Sequence, residues 1–319
     1  MKTQGWRLFH PSTWSFFKEG RRTEDYSLFD FLHGYFYGRW TYLYIALGTG
    51  EHPLAPKLAR LYRLYSSIFP QRRSGNGSAE YKTKQNIADS YHGKVVPLES
   101  ATQLVTVHES VTIKNLEQVI PYSRARDIIL KNPEHIIALD CPCRSARANP
   151  CLPLDVCLIV GEPFAAFVAG HHPQRSRWIT SAEAVEILRA EDERGHAHHA
   201  FFKDAMLGRF YAICNCCACC CGAIHAHHNG TPMLASSGFI STVDEDLCIG
   251  CGDCSDFCQF FALTLSDGHA AIDKELCMGC GVCVSHCPQE ALALERVAAK
   301  GEPLEIARLL QVFEESLPH

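Results

Sequence analysis

With 319 residues, of which 47% are hydrophobic and 20% charged, the chain is long enough for two or three packed domains and too apolar to be disordered. Its formal charge of −5 argues against nucleic-acid binding, which calls for a basic face and a high pI. The unusual feature is 18 cysteines, accompanied by 17 histidines.

The start, "MKTQGWRLFHPSTWSFF", lacks the apolar segment and small-residue cleavage site of a signal peptide. The pair Arg21-Arg22 is followed by "TEDYS", too polar for a twin-arginine export signal. The expected setting is therefore a reducing cytoplasm, where clustered thiols are metal ligands more often than disulfides. No stretch offers about 18 uninterrupted apolar residues, so no transmembrane span is expected. The nearest, 26–48, is interrupted by Asp30, His33 and Arg39. It reads as an aromatic helical arm packed on the protein's own core, with a membrane surface or a partner's groove as the competing use. Leu58, Leu61, Leu64 and Ile68 recur at helical spacing, and "QRRSGNGSAE" (71–80) reads as a linker.

In the next zone "EHIIALD" (134–140) reads as a buried strand leading into "CPCR". Thr180 and Glu183 form a capping-box start for a helix that Gly195 would stop. Here lie ten cysteines in two stretches: Cys141, Cys143, Cys151 and Cys157, then Cys214, Cys216, Cys217, Cys219, Cys220 and Cys221 in "CNCCACCC". Arg144 and Arg147 beside the first stretch favour thiolates. Neighbours such as Cys216 and Cys217 project in divergent directions, so the run is expected to be shared between two centres. The histidines of "GHAHHAFF" and "IHAHH" read as a polar helix face. His225, four residues after Cys221, is the best placed of them as a ligand.

Residues 236–297 hold a repeat. "DEDLCIGCGDCSDFCQFFALTL" from Asp244 matches "DKELCMGCGVCVSHCPQEALAL" from Asp273 at half its positions. Each copy carries C-x2-C-x2-C-x3-C, the ligand spacing of a [4Fe–4S] cube in which the fourth cysteine serves the other cluster. One cube should take Cys248, Cys251, Cys254 and Cys287, and the other Cys277, Cys280, Cys283 and Cys258. Zinc sites usually pair two C-x2-4-C elements across a longer loop, which fits this spacing poorly.

The segment resembles a two-cluster bacterial-type ferredoxin module, and that resemblance implies two strand pairs and two short helices with pseudo-twofold symmetry. It departs from the pattern once: Pro288 follows Cys287, but Gln259 follows Cys258. The combination of "CPCR", "CNCCACCC" and this module resembles a family of bacterial 4Fe-4S proteins over about 90–296. The motifs name that family without naming a reaction.

The expected fold class is α+β: a mainly helical N-terminal cysteine-rich domain followed by a two-cluster ferredoxin-like domain. The expected boundaries are 1–80 (arm and linker), 81–235, 236–297 and 298–319 (C-terminal helix and tail). The expected cofactors are two [4Fe–4S] clusters in the repeat and one or two further iron–sulfur clusters on the ten upstream cysteines. Zinc or metal-free reactive thiols are the alternatives there. No G-x-G-x-x-G, P-loop or C-x-x-C-H motif is present. Electrons would therefore come from and go to other proteins. The leading expectation is an electron relay to a partner oxidoreductase, with peripheral membrane contact open through 26–48. Its competitors are a redox enzyme subunit with a catalytic upstream centre and a metal-trafficking or cluster-assembly protein. A cavity beside "CNCC" would favour the enzyme; a chain of centres ending at the surface would favour the relay.

Overall fold

A computed structural model of the chain describes residues 10–57, 60 and 87–315, with side chains to 311. The helix read from Leu58 to Ile68 and the linker at 71–80 lie outside the described residues.

The body is built on a sheet, not on helices, which corrects the expectation of a mainly helical cysteine-rich domain. Eight strands take part: β1 (Tyr91–Val96), β2 (Val111–Ile113), β3 (Ile128–Leu139), β4 (Cys157–Glu162), β5 (Ser176–Ile179), β6 (Ala197–Lys203), β7 (Arg209–Cys216) and β8 (Leu234–Ala235). Their order is β2-β3-β4-β7-β6-β1-β8, with β5 also paired to β3; every pair is antiparallel except β1–β8. The misreading has a physical cause. Every residue of β6, "AHHAFFK", is buried, because both faces of the sheet are covered. Covering both faces erases the polar/apolar alternation that marks a strand in sequence.

The covering helices are α1 (Pro11–Gly20), α2 (Leu28–Arg39), α3 (Thr41–Gly48), α4 (Leu98–Val105), α5 (Pro142–Ser145), α6 (Phe164–His171), α7 (Ser181–Glu193) and α8 (Gly222–His228). Thr180 and Glu183 make the expected capping box of α7, and Gly195, at φ +81°, follows its end. Alternation along the strands sorts side chains between two cores. Ile136, Ala138, Leu158, Val160, Ala200 and Phe202 face α4 and α7. Ile137, Leu139, Cys157, Ile159 and Phe201 face the opposite core, which also takes in Phe16 of α1, Tyr37 of α2 and Phe164 of α6.

The aromatic arm belongs to that second core. Phe16 is fully buried among the rings of Phe31, Phe164 and Phe167. Gly34 sits where any Cβ would lie 2.1 Å from the Ala205 carbonyl, so its lack of a side chain lets α2 approach the β6–β7 turn. The outward row of α2, Leu28, Leu32 and Phe36 with Phe29 beside it, is exposed, as is Trp40 just after the helix. No helix among the described residues is long and apolar enough to cross a membrane.

After β8 the chain forms a small pseudo-twofold unit. β9 (Phe239–Val243) pairs with β12 (Leu292–Arg296), and β10 (Leu263–Ser266) pairs with β11 (His269–Ile272). Two one-turn helices, α9 (Asp253–Asp256) and α10 (Val282–Ser285), complete it. The final helix, α11 (Ile306–Glu315), packs its Leu309 and Leu310 on the first core.

Candidate metal centres

The 18 cysteines gather into four groups. Cys248, Cys251, Cys254 and Cys287 line one cavity of about 20 Å³, and Cys258, Cys277, Cys280 and Cys283 line another of the same size. Gly250 and Gly279 shape the two loops. Each has φ near +65°, and a Cβ would stand 2.1 and 2.2 Å from the carbonyls of Gly268 and Phe239. Only glycine lets these loops lie so close to the facing turn or strand.

Backbone donors are already aimed at the sulfurs. The N–H groups of Ala262 and Ala291 point to Cys258 and Cys287 at 3.3 Å, and those of Ala270 and Ser241 point to Cys248 and Cys277 at 3.4 Å. Such N–H···S bonds stabilise thiolate charge and suit a thiolate-bound cluster. The two sites differ in setting. Cys251 is exposed, whereas Cys277 and Cys283 are buried. We call them the outer and inner sites.

The ten upstream cysteines divide four and six. Cys217, the residue after β7, joins Cys151, Cys219 and Cys220. The sulfurs stand 3.1 Å apart for Cys151–Cys219, 3.2 Å for Cys217–Cys219, 3.6 Å for Cys219–Cys220 and 3.7 Å for Cys151–Cys217. Among the described residues no other group of three or more Cys, His, Asp or Glu side chains brings all its ligand atoms within 4.8 Å of one another. A tetrahedral ion with metal–sulfur bonds of about 2.3 Å sets its sulfurs about 3.8 Å apart, a small expansion of the 3.1 to 3.7 Å found here. Burial pushes the Cys151 and Cys217 thiols up to about 12. At Cys220 burial also pushes up, but hydrogen bonds from Cys151, Cys219 and Cys217 outweigh it and lower the pKa. Cys220 is thus easier to ionise than Cys151 or Cys217, and a bound dication would let all four ionise.

The other six form a ring. From β7, Cys214 contacts Cys157 at 3.9 Å. Contacts continue from Cys157 to Cys141, Cys143, Cys221 and Cys216. Cys214 and Cys216, two apart on β7, project from one face of the sheet, so the two ends of this row lie side by side. Hydrogen bonds from Cys143 and Cys157 hold the Cys141 thiol well below its ordinary range. All six line one cavity of about 510 Å³. Its far wall carries Tyr37, Tyr44, Tyr91, Tyr211 and Lys203. The Tyr37 and Tyr211 hydroxyls are 2.8 Å apart. Lys203 Nζ lies 4.8, 5.0 and 5.7 Å from the ring centres of Tyr91, Tyr37 and Tyr44. That is an aromatic cage around a buried cation.

The arginines and histidines serve mainly as framework. Buried Arg144 pairs with Glu191 and donates to the carbonyls of Pro153 (2.6 Å) and Asn215 (3.2 Å), fixing the "CPCR" turn. His225 is not free to ligate: its Nε2 donates to Ala218 O at 2.5 Å and its Nδ1 accepts from Arg147 at 3.0 Å. Instead it clamps the turn that carries Cys217 to Cys221.

The expectation of a polar helix face for "GHAHHAFF" is corrected by the strand β6, and His199 shows it best. It lies in register opposite Cys214 on β6, fully buried, with neither ring nitrogen hydrogen-bonded. An orphaned imidazole on the ring's face of the sheet fits a site built to hold a polar, sulfur-rich group. Sequence reading missed the cavity's tyrosines and Lys203, which carry no motif.

The departure at Gln259 was visible in sequence and its role was not. Ala218 N donates to Gln259 Oε1, and Gln259 Nε2 donates to Gly195 O, both at 2.6 Å. Thus the residue after Cys258 pins the inner site's loop onto the "CNCCACCC" run, a contact proline lacks the amide to make.

Comparison with known proteins places one part of this chain. The family model of a 4Fe-4S dicluster domain matches residues 241–294. That stretch contains the outer and inner sites, so the chain carries an iron–sulfur module of this type. No curated protein matches the chain.

Proposed function

We propose that the chain carries single electrons from a [4Fe–4S] cluster at the outer site, through a second at the inner site, into an iron–sulfur centre on the six-thiol ring. The compact set Cys151, Cys217, Cys219 and Cys220 holds one metal ion that braces the junction. Bound clusters would supply one-electron redox capacity; the chain's own residues space them, exclude water and set their potentials. Support comes chiefly from one observation: Cys258, Phe260, Met278 and Cys280 of the inner site pack into the same hydrophobic core as Cys141, Cys157, Cys216 and Cys221 of the ring. Electrons would enter at Cys251. Five acidic residues, Asp244, Glu245, Asp246, Asp253 and Asp256, flank the outer loop without a basic one, so a basic donor fits it.

A second reading keeps the same wiring and makes the ring catalytic, so that the relay ends in a reaction rather than in a further protein. The 510 Å³ cavity beside Cys214 and Cys216 favours it, being the size of a small-molecule site. Burial of most ring thiols speaks against metal trafficking, which needs exchangeable ligands.

Rapid-freeze EPR during reduction by a protein donor tests the relay. Gln259→Pro should leave both module signals in place and slow reduction of the upstream centre by tenfold or more. An unchanged rate would reject the inner site as the point of transfer.

A further inference from the structure

The ring has the wrong number of thiols for cubes standing alone. A cube has four irons, each taking one cysteine. Six thiols are two too many for one cube and two too few for a separate pair, and the four remaining cysteines already form their own compact set. Two cubes joined through one sulfide shared between an iron of each need three cysteines apiece, six in all. Resting on the reading of the ring as an iron–sulfur centre, we propose that the six-thiol ring holds one such eight-iron cluster.

The ring divides accordingly. Along the row of contacts Cys214, Cys157 and Cys141 are consecutive, and so are Cys143, Cys221 and Cys216, which makes two sets of three. The space agrees. Each four-cysteine site of the module leaves a cavity of about 20 Å³, while the ring borders one of about 510 Å³. The surroundings agree as well. A cluster on six thiolates carries more negative charge than a single cube, and the facing wall supplies a 2%-exposed lysine and buried phenols. Burial raises the pKa of Tyr37 and Tyr211, so both remain hydrogen-bond donors.

The test is iron and acid-labile sulfide per chain, measured on anaerobically purified full-length protein and on Cys141→Ala/Cys143→Ala. The double variant should lose about eight irons, the content of two cubes, while the EPR signals of the module persist. A loss of about four would mean a single cube on part of the ring and would overturn the proposal, as would no loss. Should the variant fail to fold, Mössbauer spectra of the unmodified protein decide. Ring iron equal to that of the module supports the joined cluster, and half as much rejects it. Neither readout depends on electron transfer, so failure of the relay and failure of the eight-iron cluster remain distinguishable.

Discussion

Ser241 and Ala270 occupy equivalent places in the two halves of the module: each sends its backbone N–H to the first cysteine of a cluster loop, Cys277 and Cys248 respectively. Ser241 adds its hydroxyl, 3.2 Å from Cys283 Sγ, and alanine adds nothing. A donor to a thiolate ligand stabilises the more negative, reduced cluster and raises its potential. Removing one hydrogen bond worth about 1 kcal/mol shifts a one-electron couple by roughly 40 mV. Ser241→Ala should lower the inner potential by that order and leave the outer one in place; Ala270→Ser should raise the outer. Redox titration followed by EPR reads both.

At the scale of elements, the segment from β7 to α8 decides which sulfur goes where. Along the strand, Cys214 and Cys216 share a face and belong to the ring. The chain then turns, tied by Cys221 N to Cys217 O at 3.0 Å, and the turn gathers Cys217, Cys219 and Cys220 against Cys151. Cys221 returns to the ring as the residue preceding α8. If the turn holds one ion, Cys151→Ser/Cys219→Ser should release a single metal atom per chain, measured by elemental analysis. The same variant should leave the iron of the module and of the ring unchanged. Loss of about four irons would instead place a cube there.

For the molecule as a whole, acid is the exposed weakness. Burial holds His92 at about 4, against upward pulls from its bonds to Ala88 and Ala125 carbonyls, and also holds His171 at about 4. His171 fastens α6 to α1 through Thr13, 3.0 Å away. Both imidazoles are neutral in the folded chain and titrate near 6.5 in the unfolded one. As pH falls from 6.5 toward 4, the unfolded state takes up protons that the folded state refuses, and stability drops by about 3 kcal/mol per pH unit for the pair. Anaerobic urea unfolding between pH 7 and 5 should show at least this slope, and His171→Gln should lower it by about 1.4 kcal/mol per pH unit.

The sequence alone made the two copies of C-x2-C-x2-C-x3-C legible, because each is a short local run; the cross-over of their fourth cysteines came with the resemblance to two-cluster ferredoxins, since it joins one copy to the other. Legible too were the capping box of α7 and the closing amphipathic helix, whose signals are equally local. The sheet was hidden because its strands are buried on both faces and lose their alternation, as "AHHAFFK" shows. The four-and-six division of the upstream cysteines was beyond sequence, since Cys151 meets Cys219 across 68 residues and Cys157 meets Cys214 across 57. Only the tertiary structure, by laying β4 beside β7 and the "CPCR" turn over both, decided which thiols share a centre. It alone gave Gln259 its role, because a side chain's partner depends on what the fold brings opposite it.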